Sequence, residues 1–166
     1  MCIRDSATPV GIAPRTWALS LYRPTLTHAN FLARRTGVLQ LLSEAHAPLV
    51  YALGGRSGRD DDKAAACAAA GFEWVAAPSS WDAAADGGSD AALLPSLLPG
   101  CVQYLRLEQV GELTSCGEHD VVLCTVEGML SYGEAGGPTA EDALSSARCR
   151  ELGLITDRGK AVEPAP

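Results

Sequence analysis

The chain has 166 residues, of which 47% are hydrophobic and 20% charged, a composition that excludes a wholly disordered protein and suits one folded domain. Thirteen basic residues against twenty acidic ones give a formal net charge of −7, which disfavours nucleic acid and anionic membranes as partners. No stretch approaches the roughly 18 uninterrupted apolar residues that a membrane-spanning helix needs, and no hydrophobic secretion signal is present. We therefore expect a protein that is neither membrane-spanning nor secreted.

The six cysteines are scattered along the chain and form no Cys-x-x-Cys pair: Cys2, Cys67, Cys101, Cys116, Cys124 and Cys149. The nearest two, Cys116 and Cys124, are eight residues apart, whereas a zinc site needs paired short spacings. We expect reduced thiols that pack as small hydrophobic side chains, and no metal site.

The two ends of the chain differ from its middle. Met1–Ser6 (MCIRDS) has neither an apolar run nor a periodicity, and we interpret it as a start that is not native to the domain. The alternative is the ragged end of a transit peptide, for which Arg4 and Ser6 are the signals. We assign residues 7–157 to one domain that lacks its original N-terminal part, and residues 158–166 to a tail. Residues 76–95, rich in Ala, Gly, Ser and Asp, predict a flexible surface insertion.

The first half of the domain predicts two strands and three helices. Trp17–Tyr22 is rich in aromatic and aliphatic residues and predicts a short strand. Thr25 or Thr27 then caps a helix that runs to about Arg35, and Gly37 suits the position after its end. The remaining elements are a buried strand, a short helix and an alanine-rich helix, at Val38–Leu42, Ala47–Leu53 and Lys63–Ala70.

The second half is dominated by a β-hairpin. Apolar and polar residues alternate in Cys101–Leu113 and again in His119–Leu130, which predicts two long strands joined by a turn. Thr139 with Asp142 resembles a capping box and predicts a helix that runs to about Leu152. These elements together predict a mainly β fold, a barrel or sheet with peripheral helices.

Two segments have the composition of a phosphate-binding site. From Ser20 to Thr27 a strand end meets a helix start, so helix amides, three hydroxyl groups and the guanidinium of Arg23 are available as donors. The glycine-rich, basic run Gly54–Arg59 offers backbone donors. An ordinary capped helix explains the first segment equally well, and a plain turn explains the second.

The order of these segments resembles the flavin-reductase-like family, which has the FMN-binding split β-barrel. The resemblance rests on SLYRPTLT before the first helix, GVLQLL after it, then GGRSGRDDDK, and finally the hairpin CVQYLRLEQVGELTSCGEHDVVLCTVEGM. It spans Trp17 to Thr156, and the closing RELGLIT is similar to the tail of plant and algal members.

The resemblance implies a homodimer that binds FMN, or FAD, at the subunit interface and passes a hydride from NAD(P)H to the flavin. Arg23, Thr25 and Thr27 are implied to hold the phosphate, and Gln40 to lie beside the isoalloxazine ring. His119 stands in a GEH turn where the family has GDH, and is implied to be the catalytic residue on the nicotinamide side. The full implied cofactor-binding set is Ser20, Tyr22, Arg23, Thr25, Thr27, Gln40 and Lys63.

The chain departs from the family pattern at two places. The early Asn/Gly…Ser-Trp loop of the family has no match in Met1–Arg15, and Ala64 replaces the aromatic residue after the family's Asp-Lys. These departures leave two alternatives to a reductase: a non-catalytic FMN-binding module, and an interaction domain that retains the barrel. The expected electron acceptor is a small molecule or a protein, and the expected compartment is the cytoplasm or the plastid.

Overall fold

The computed structural model describes residues 6–78, 96–131 and 137–164. The predicted insertion at residues 76–95 lies outside the described residues except for its first three, and so does Met1–Ser6 except for Ser6. The division into a domain of residues 7–157 and a tail therefore stays a prediction.

A single antiparallel sheet of five strands, in the order β1-β2-β5-β4-β3, organises the described residues. Its strands are β1 (Ser6–Gly11), β2 (Thr16–Tyr22), β3 (Thr36–Leu41), β4 (Gln103–Cys116) and β5 (His119–Ser131). The hairpin of β4 and β5 is longer than predicted, because β4 continues beyond Leu113 to Cys116. The turn is reduced to Gly117-Glu118, and the positive φ of Gly117, 62°, is a conformation that glycine adopts without strain.

Strand β1 was not predicted from the sequence. It pairs antiparallel with β2, so that Ala7 lies opposite Leu19 and Pro9 opposite Trp17. Pro9 and Gly11 are both poor strand residues, and they hide the strand from pattern analysis. Proline is tolerated here because β1 is an edge strand, where one side of the backbone needs no ladder partner.

The helices are short and lie around the sheet. They are α1 (Leu26–Arg34), α2 (Val50–Gly54), α3 (Lys63–Ala69) and α4 (Ser146–Glu151), with 3-10 turns at Glu44–Leu49 and Ala140–Asp142. Of the two predicted caps, Thr25 and Thr27, it is Thr25 that caps α1, since its hydroxyl oxygen accepts a hydrogen bond from the amide of His28 at 3.2 Å. The end of α1 differs from the prediction: Arg35 adopts the left-handed conformation, with φ 57°, while Gly37 already belongs to β3.

The single helix predicted from Thr139 to Leu152 is wrong. Asp142 does accept hydrogen bonds from the amide and hydroxyl of Thr139, at 2.7 and 2.9 Å, but this capping box opens only one 3-10 turn. The chain then becomes extended at Ala143, which bridges to Ser43, and the amide of Leu144 donates to the Leu42 carbonyl at 2.9 Å. Backbone partners at the end of β3 thus replace the helical hydrogen bonds.

Three clusters of buried side chains form the interior. The first lies between the sheet and α1, and includes Leu19, Leu21, Phe31, Leu39, Leu105, Leu107, Val122 and Cys124. The second packs on the other face of β4 around Tyr104, and comprises Leu49, Cys67, Leu97, Leu98, Cys101 and Tyr104. The third joins α2 to the C-terminal part of the chain through Val50, Cys149 and Ile155. Because Leu105 and Tyr104 point to opposite sides, this part of β4 is buried on both faces.

The described cysteines are unpaired, and Cys67, Cys101, Cys124 and Cys149 are buried in these clusters as the sequence predicts. Within residues 6–78, 96–131 and 137–164, no three His, Cys, Asp or Glu side chains converge as metal ligands would. None of the helices in those ranges is long and apolar enough to span a membrane.

Candidate functional site

A cleft of about 360 Å³ opens where β2 ends and α1 begins. Four segments that are distant in the sequence form its walls: the β2–α1 junction, the end of α2 with the glycine-rich loop, the start of α3 with Trp74, and the C-terminal segment. The lining residues are Tyr22, Pro24, Thr25, Leu26, Thr27, Asn30, Leu53, Gly54, Gly55, Arg56, Ser57, Gly58, Lys63, Trp74, Lys160 and Ala161. The two segments that the sequence marks as separate phosphate candidates therefore line one cleft.

The N-terminus of α1 provides hydrogen-bond donors at the cleft. The hydroxyl of Thr25 donates to the carbonyl of Tyr22 at 2.7 Å while it caps the helix, so this side chain is fixed in place. Leu26 and Thr27 belong to the first turn, whose amides have no acceptor within the helix and carry the positive end of its dipole. The Thr27 side chain also lines the cleft. This arrangement favours an anion.

The glycine-rich loop passes close to its neighbours. A Cβ atom on Gly58 would lie 3.3 Å from Cδ2 of Leu26, and one on Gly55 would collide with the ring of Tyr51. Glycine at 58 therefore lets the loop backbone approach α1, and glycine at 55 lets it approach the Tyr51 ring of α2.

The charged side chains that line the cleft are all cationic: Arg56, Lys63 and Lys160. Arg56 forms an ion pair with Asp61 at 2.9 Å, and the Lys63 ammonium donates to the carbonyl of Leu53. Among the described lining residues there is no aspartate or glutamate. The charge of the cleft is therefore complementary to a negatively charged ligand.

An aromatic and aliphatic wall completes the cleft. Tyr22, Leu26, Leu53 and Trp74 contribute to it, and the indole Nε1 of Trp74 is buried without an acceptor in the part of the chain that the structure describes. Buried N–H groups normally have a partner, and this one has none among the described residues. Cationic donors at a helix N-terminus, next to flat apolar side chains, fit a phosphate ester that carries an aromatic ring system, as FMN does.

A second, more apolar cavity of about 430 Å³ lies next to the cleft. Trp74 and Leu53 line both, and the other lining residues of the second cavity are Val38, Gln40, Leu41, Leu42, Val50, Leu98, Ala143, Leu144, Ser146, Cys149 and Ile155. The amide oxygen of Gln40 accepts a hydrogen bond from the amide of Leu98 at 2.8 Å. Gln40 thus lies in the neighbouring cavity, behind the Trp74 wall.

Arg23 is held away from the cleft by Asp120. Its Nη2 and Nε lie 2.7 and 3.0 Å from Oδ1 of Asp120, and Nη2 also donates to the hydroxyl of Ser115. The other carboxylate oxygen of Asp120 lies 2.8 Å from Nε2 of the buried His28 in α1. Hydrogen bonds from Arg23, and then from His28, lower the pKa of Asp120 below its usual value. This cluster fastens the β4–β5 hairpin to the start of α1.

The remaining predicted residues, His119 and Ser20, do not line the cleft. His119 pairs with Tyr22 across β5 and β2, and their ring centroids are 5.2 Å apart, so Tyr22 stands between His119 and the cleft. Ser20 lies within the sheet, opposite Ser6 of β1 and Val121 of β5. The structure therefore brings together Tyr22, Thr25, Thr27 and Lys63, and it places Ser20, Arg23, Gln40 and His119 outside the cleft lining.

Among the residues of this region that sequence analysis missed are Trp74, Asp120 and Lys160. Asp120 directly follows the GEH turn, and a carboxylate at that place was a usable signal for an ion pair. Trp74 and Lys160 have no local motif, since only the tertiary fold brings them to the cleft.

The model of the flavin reductase like domain family matches residues 2–139 of this sequence. The chain belongs to this family. The match ends before α4, so the C-terminal wall of the cleft lies beyond the residues that the family model covers. No curated protein matches the chain.

Solved structures of low sequence identity share the fold. A flavin-reductase-like enzyme's FMN-binding domain from Shewanella baltica aligns with a TM-score of 0.58 at 17% identity, over 82% of this chain and 65% of that one. The FMN-binding protein of Thermus thermophilus with bound 1-cyclohex-2-enone aligns with a TM-score of 0.56 at 19% identity, over 93% of this chain and 65% of that one. An NADH:FAD oxidoreductase of Streptomyces globisporus aligns with a TM-score of 0.56 at 16% identity, over 78% of this chain and 66% of that one.

These comparisons confirm the predicted fold class and the family resemblance. The chain spans less than two thirds of the length of each of these three solved proteins, 65%, 65% and 66%. The plant or algal type, the missing N-terminal part and the compartment stay predictions.

Proposed function

We propose that the chain binds FMN in the cleft and acts as a flavin-reductase-like oxidoreductase with NAD(P)H as the hydride donor. The observation that carries this proposal is the convergence of the α1 N-terminus and the glycine-rich loop on one cleft whose charged lining residues are all cationic. Membership of the flavin reductase like domain family supports it.

The phosphate of the flavin is assigned to the α1 end of the cleft. Thr27 offers its hydroxyl, the first-turn amides offer N–H donors, and Lys63 offers positive charge. Thr25 keeps the helix start in shape through its two hydrogen bonds. Arg23 supports the site from outside, because its ion pair with Asp120 holds the hairpin against α1. FAD is the alternative flavin.

The ring system is assigned to the wall formed by Tyr22 and Trp74, where aromatic side chains provide a flat apolar surface. His119 is proposed as the catalytic residue because its ring contacts Tyr22 and thereby adjoins the cleft. The bound flavin would supply the hydride chemistry, and the chain binds, orients and shields it from water.

The first experiment is a titration of the purified protein with FMN, followed by flavin fluorescence. We expect saturable quenching, and we expect Thr27→Val to raise the dissociation constant about tenfold, the effect of losing a hydrogen bond to a charged group. Thr8→Val, a matched change on the exposed edge strand β1, is the control and should leave the constant unchanged. Absence of saturable quenching, or an equal effect of both variants, would contradict the assignment.

Anaerobic addition of NADH and then NADPH separates the enzyme from a passive binder. A reductase bleaches the absorbance of its bound flavin, and His119→Ala should abolish the bleaching while FMN stays bound. Bound FMN that neither nucleotide reduces would favour the non-catalytic FMN-binding module instead.

A further inference from the structure

The C-terminal segment, residues 154–162, forms a compact wall of the cleft. Its backbone closes on itself, since the amide of Thr156 donates to the carbonyl of Lys160 at 2.8 Å and the amide of Val162 to that of Leu154 at 2.9 Å. Ile155 and Ala161 form an antiparallel bridge and are both buried. The segment is thus ordered by its own hydrogen bonds as well as by packing.

Two contacts fix this segment against the rest of the molecule. Ile155 packs in the cluster of Val50 and Cys149, which anchors the segment to α2 and α4. Directly after the segment, Oε1 of Glu163 lies 3.7 Å from Nη2 of Arg56 in the glycine-rich loop. The position of the segment at the cleft is therefore set on both sides.

Lys160 differs from the other two cations that line the cleft. Arg56 is paired with Asp61, and the ammonium of Lys63 is bonded to a carbonyl group. Lys160 has no carboxylate within ion-pair distance among the described residues. No carboxylate of the described residues therefore compensates its charge, at the wall of a cleft that has no acidic residue among its described lining residues.

We infer that this C-terminal segment is part of the ligand-binding site, and that Lys160 binds a phosphate group of a nucleotide in the cleft. The inference rests on the proposed function and adds to it a residue that lies beyond the family match at residues 2–139. A phosphate is the fitting anion because the cleft combines a lysine with helix-terminal amides and hydroxyl groups. The phosphate belongs either to the flavin or to the pyridine nucleotide, and the test distinguishes these sources.

The test compares Lys160→Ala with Arg158→Ala. Arg158 is a cation in the same turn that does not line the cleft, so both variants lose one positive charge from this segment. Dissociation constants are measured for FMN and for riboflavin, which lacks the phosphate. If the flavin is the source, Lys160→Ala raises the constant for FMN about tenfold, leaves that for riboflavin unchanged, and Arg158→Ala changes neither.

A second arm uses the pyridine nucleotides. If FMN binding is unaffected but Lys160→Ala alone raises the dissociation constant for NADPH relative to that for NADH, the phosphate is that of the pyridine nucleotide and the inference holds. If both variants bind all four ligands like the unmodified protein, or weaken riboflavin as much as FMN, the inference is overturned.

A binding test with inorganic pyrophosphate distinguishes a failure of this inference from a failure of the proposed function. Should the unmodified protein bind no FMN, the proposed function fails, and the melting temperature with and without pyrophosphate then decides the role of Lys160. Stabilisation of the unmodified protein and of Arg158→Ala, but not of Lys160→Ala, supports an anion site at Lys160. Equal stabilisation of all three, or of none, overturns it.

Discussion

Asp120 is the residue through which the central hairpin holds the helix start. One carboxylate oxygen binds Arg23 beside the cleft and the other binds His28 within α1, while the Asp120 side chain itself is only 15% exposed. A carboxylate in this position has to stay ionised to serve both partners, and its lowered pKa shows that the folded protein favours that form.

The lowered pKa of Asp120 makes a stability prediction with a definite sign. Because its folded pKa is below the unfolded value of about 3.9, the carboxylate stabilises the protein above that pH, and the effect is lost as the pH falls through the folded pKa. We expect Asp120→Asn to lower the free energy of unfolding at pH 7, and this difference to shrink towards pH 3. Denaturant titrations across that range measure it. Asp157→Asn, which removes an exposed carboxylate that forms no ion pair with another described residue, should give no such trend.

Some residues of the cleft could be predicted from their local sequence, and others could not. Thr25 and Thr27 were recognisable from their place before a helical pattern, and the structure puts both at the cleft. Trp74 and Lys160 were not, because each reaches the cleft through contacts with segments distant in the sequence. The sequence therefore identified two threonines that the structure places at the cleft, but not the set of residues that encloses it.

At the scale of elements, Tyr104 ties the loop before β4 to the strand. Its hydroxyl donates to the carbonyl of Leu98 at 2.5 Å and accepts from the amide of Cys101 at 3.2 Å, and the side chain is fully buried. The loop therefore folds back over β4 and brings Leu97 and Leu98 into the second cluster. One hydroxyl group satisfies two backbone groups that would otherwise be buried without partners.

Removal of this hydroxyl is expected to destabilise the protein. Tyr104→Phe leaves a buried carbonyl and a buried amide unsatisfied, so the free energy of unfolding should fall by about 1–3 kcal/mol. Equilibrium denaturation measures the change. Tyr51→Phe, on the partly exposed surface of α2, should alter stability by less than about 0.5 kcal/mol, and a loss of that small size for Tyr104→Phe would contradict the prediction.

The elements that the sequence predicted well are those with internal periodicity. Apolar and polar residues alternate along β4 and β5, so both strands could be predicted from their own segments without knowledge of their partners. Strand β1 depends on pairing with β2, which outweighs the low propensity of Pro9 and Gly11. Contacts with a distant segment also interrupt the predicted Thr139–Leu152 helix, because its backbone pairs with Leu42 and Ser43 at the end of β3.

At the scale of the whole molecule, the β4–β5 hairpin exposes a pair of apolar side chains on the sheet. Val110 and Leu123 lie opposite each other across β4 and β5, and are 47% and 46% exposed. A two-fold dimer buries the same patch of both copies, so these side chains are suited to self-association. We propose that this face takes part in the homodimer contact that the family resemblance implies.

The dimer proposal predicts the solution mass. Light scattering should give twice the mass of the chain, and Leu123→Lys should shift the protein towards the monomer because it places a charge in the contact. Leu32→Lys, on α1 at 47% exposure, is the matched control and should leave the mass unchanged. A monomeric unmodified protein, or equal behaviour of the two variants, would remove this face from consideration.

The buried thiols have a consequence for chemical durability. Burial raises the pKa of Cys101 and of Cys124 to about 11, so only about one thiol in ten thousand is ionised at neutral pH. Peroxide, which reduced flavins generate when they meet oxygen, oxidises thiolates rather than thiols. Among the described cysteines it would first meet Cys116, the exposed one, at the end of the hairpin. The buried thiols of the core would then stay reduced in the presence of the peroxide that the proposed flavin chemistry produces.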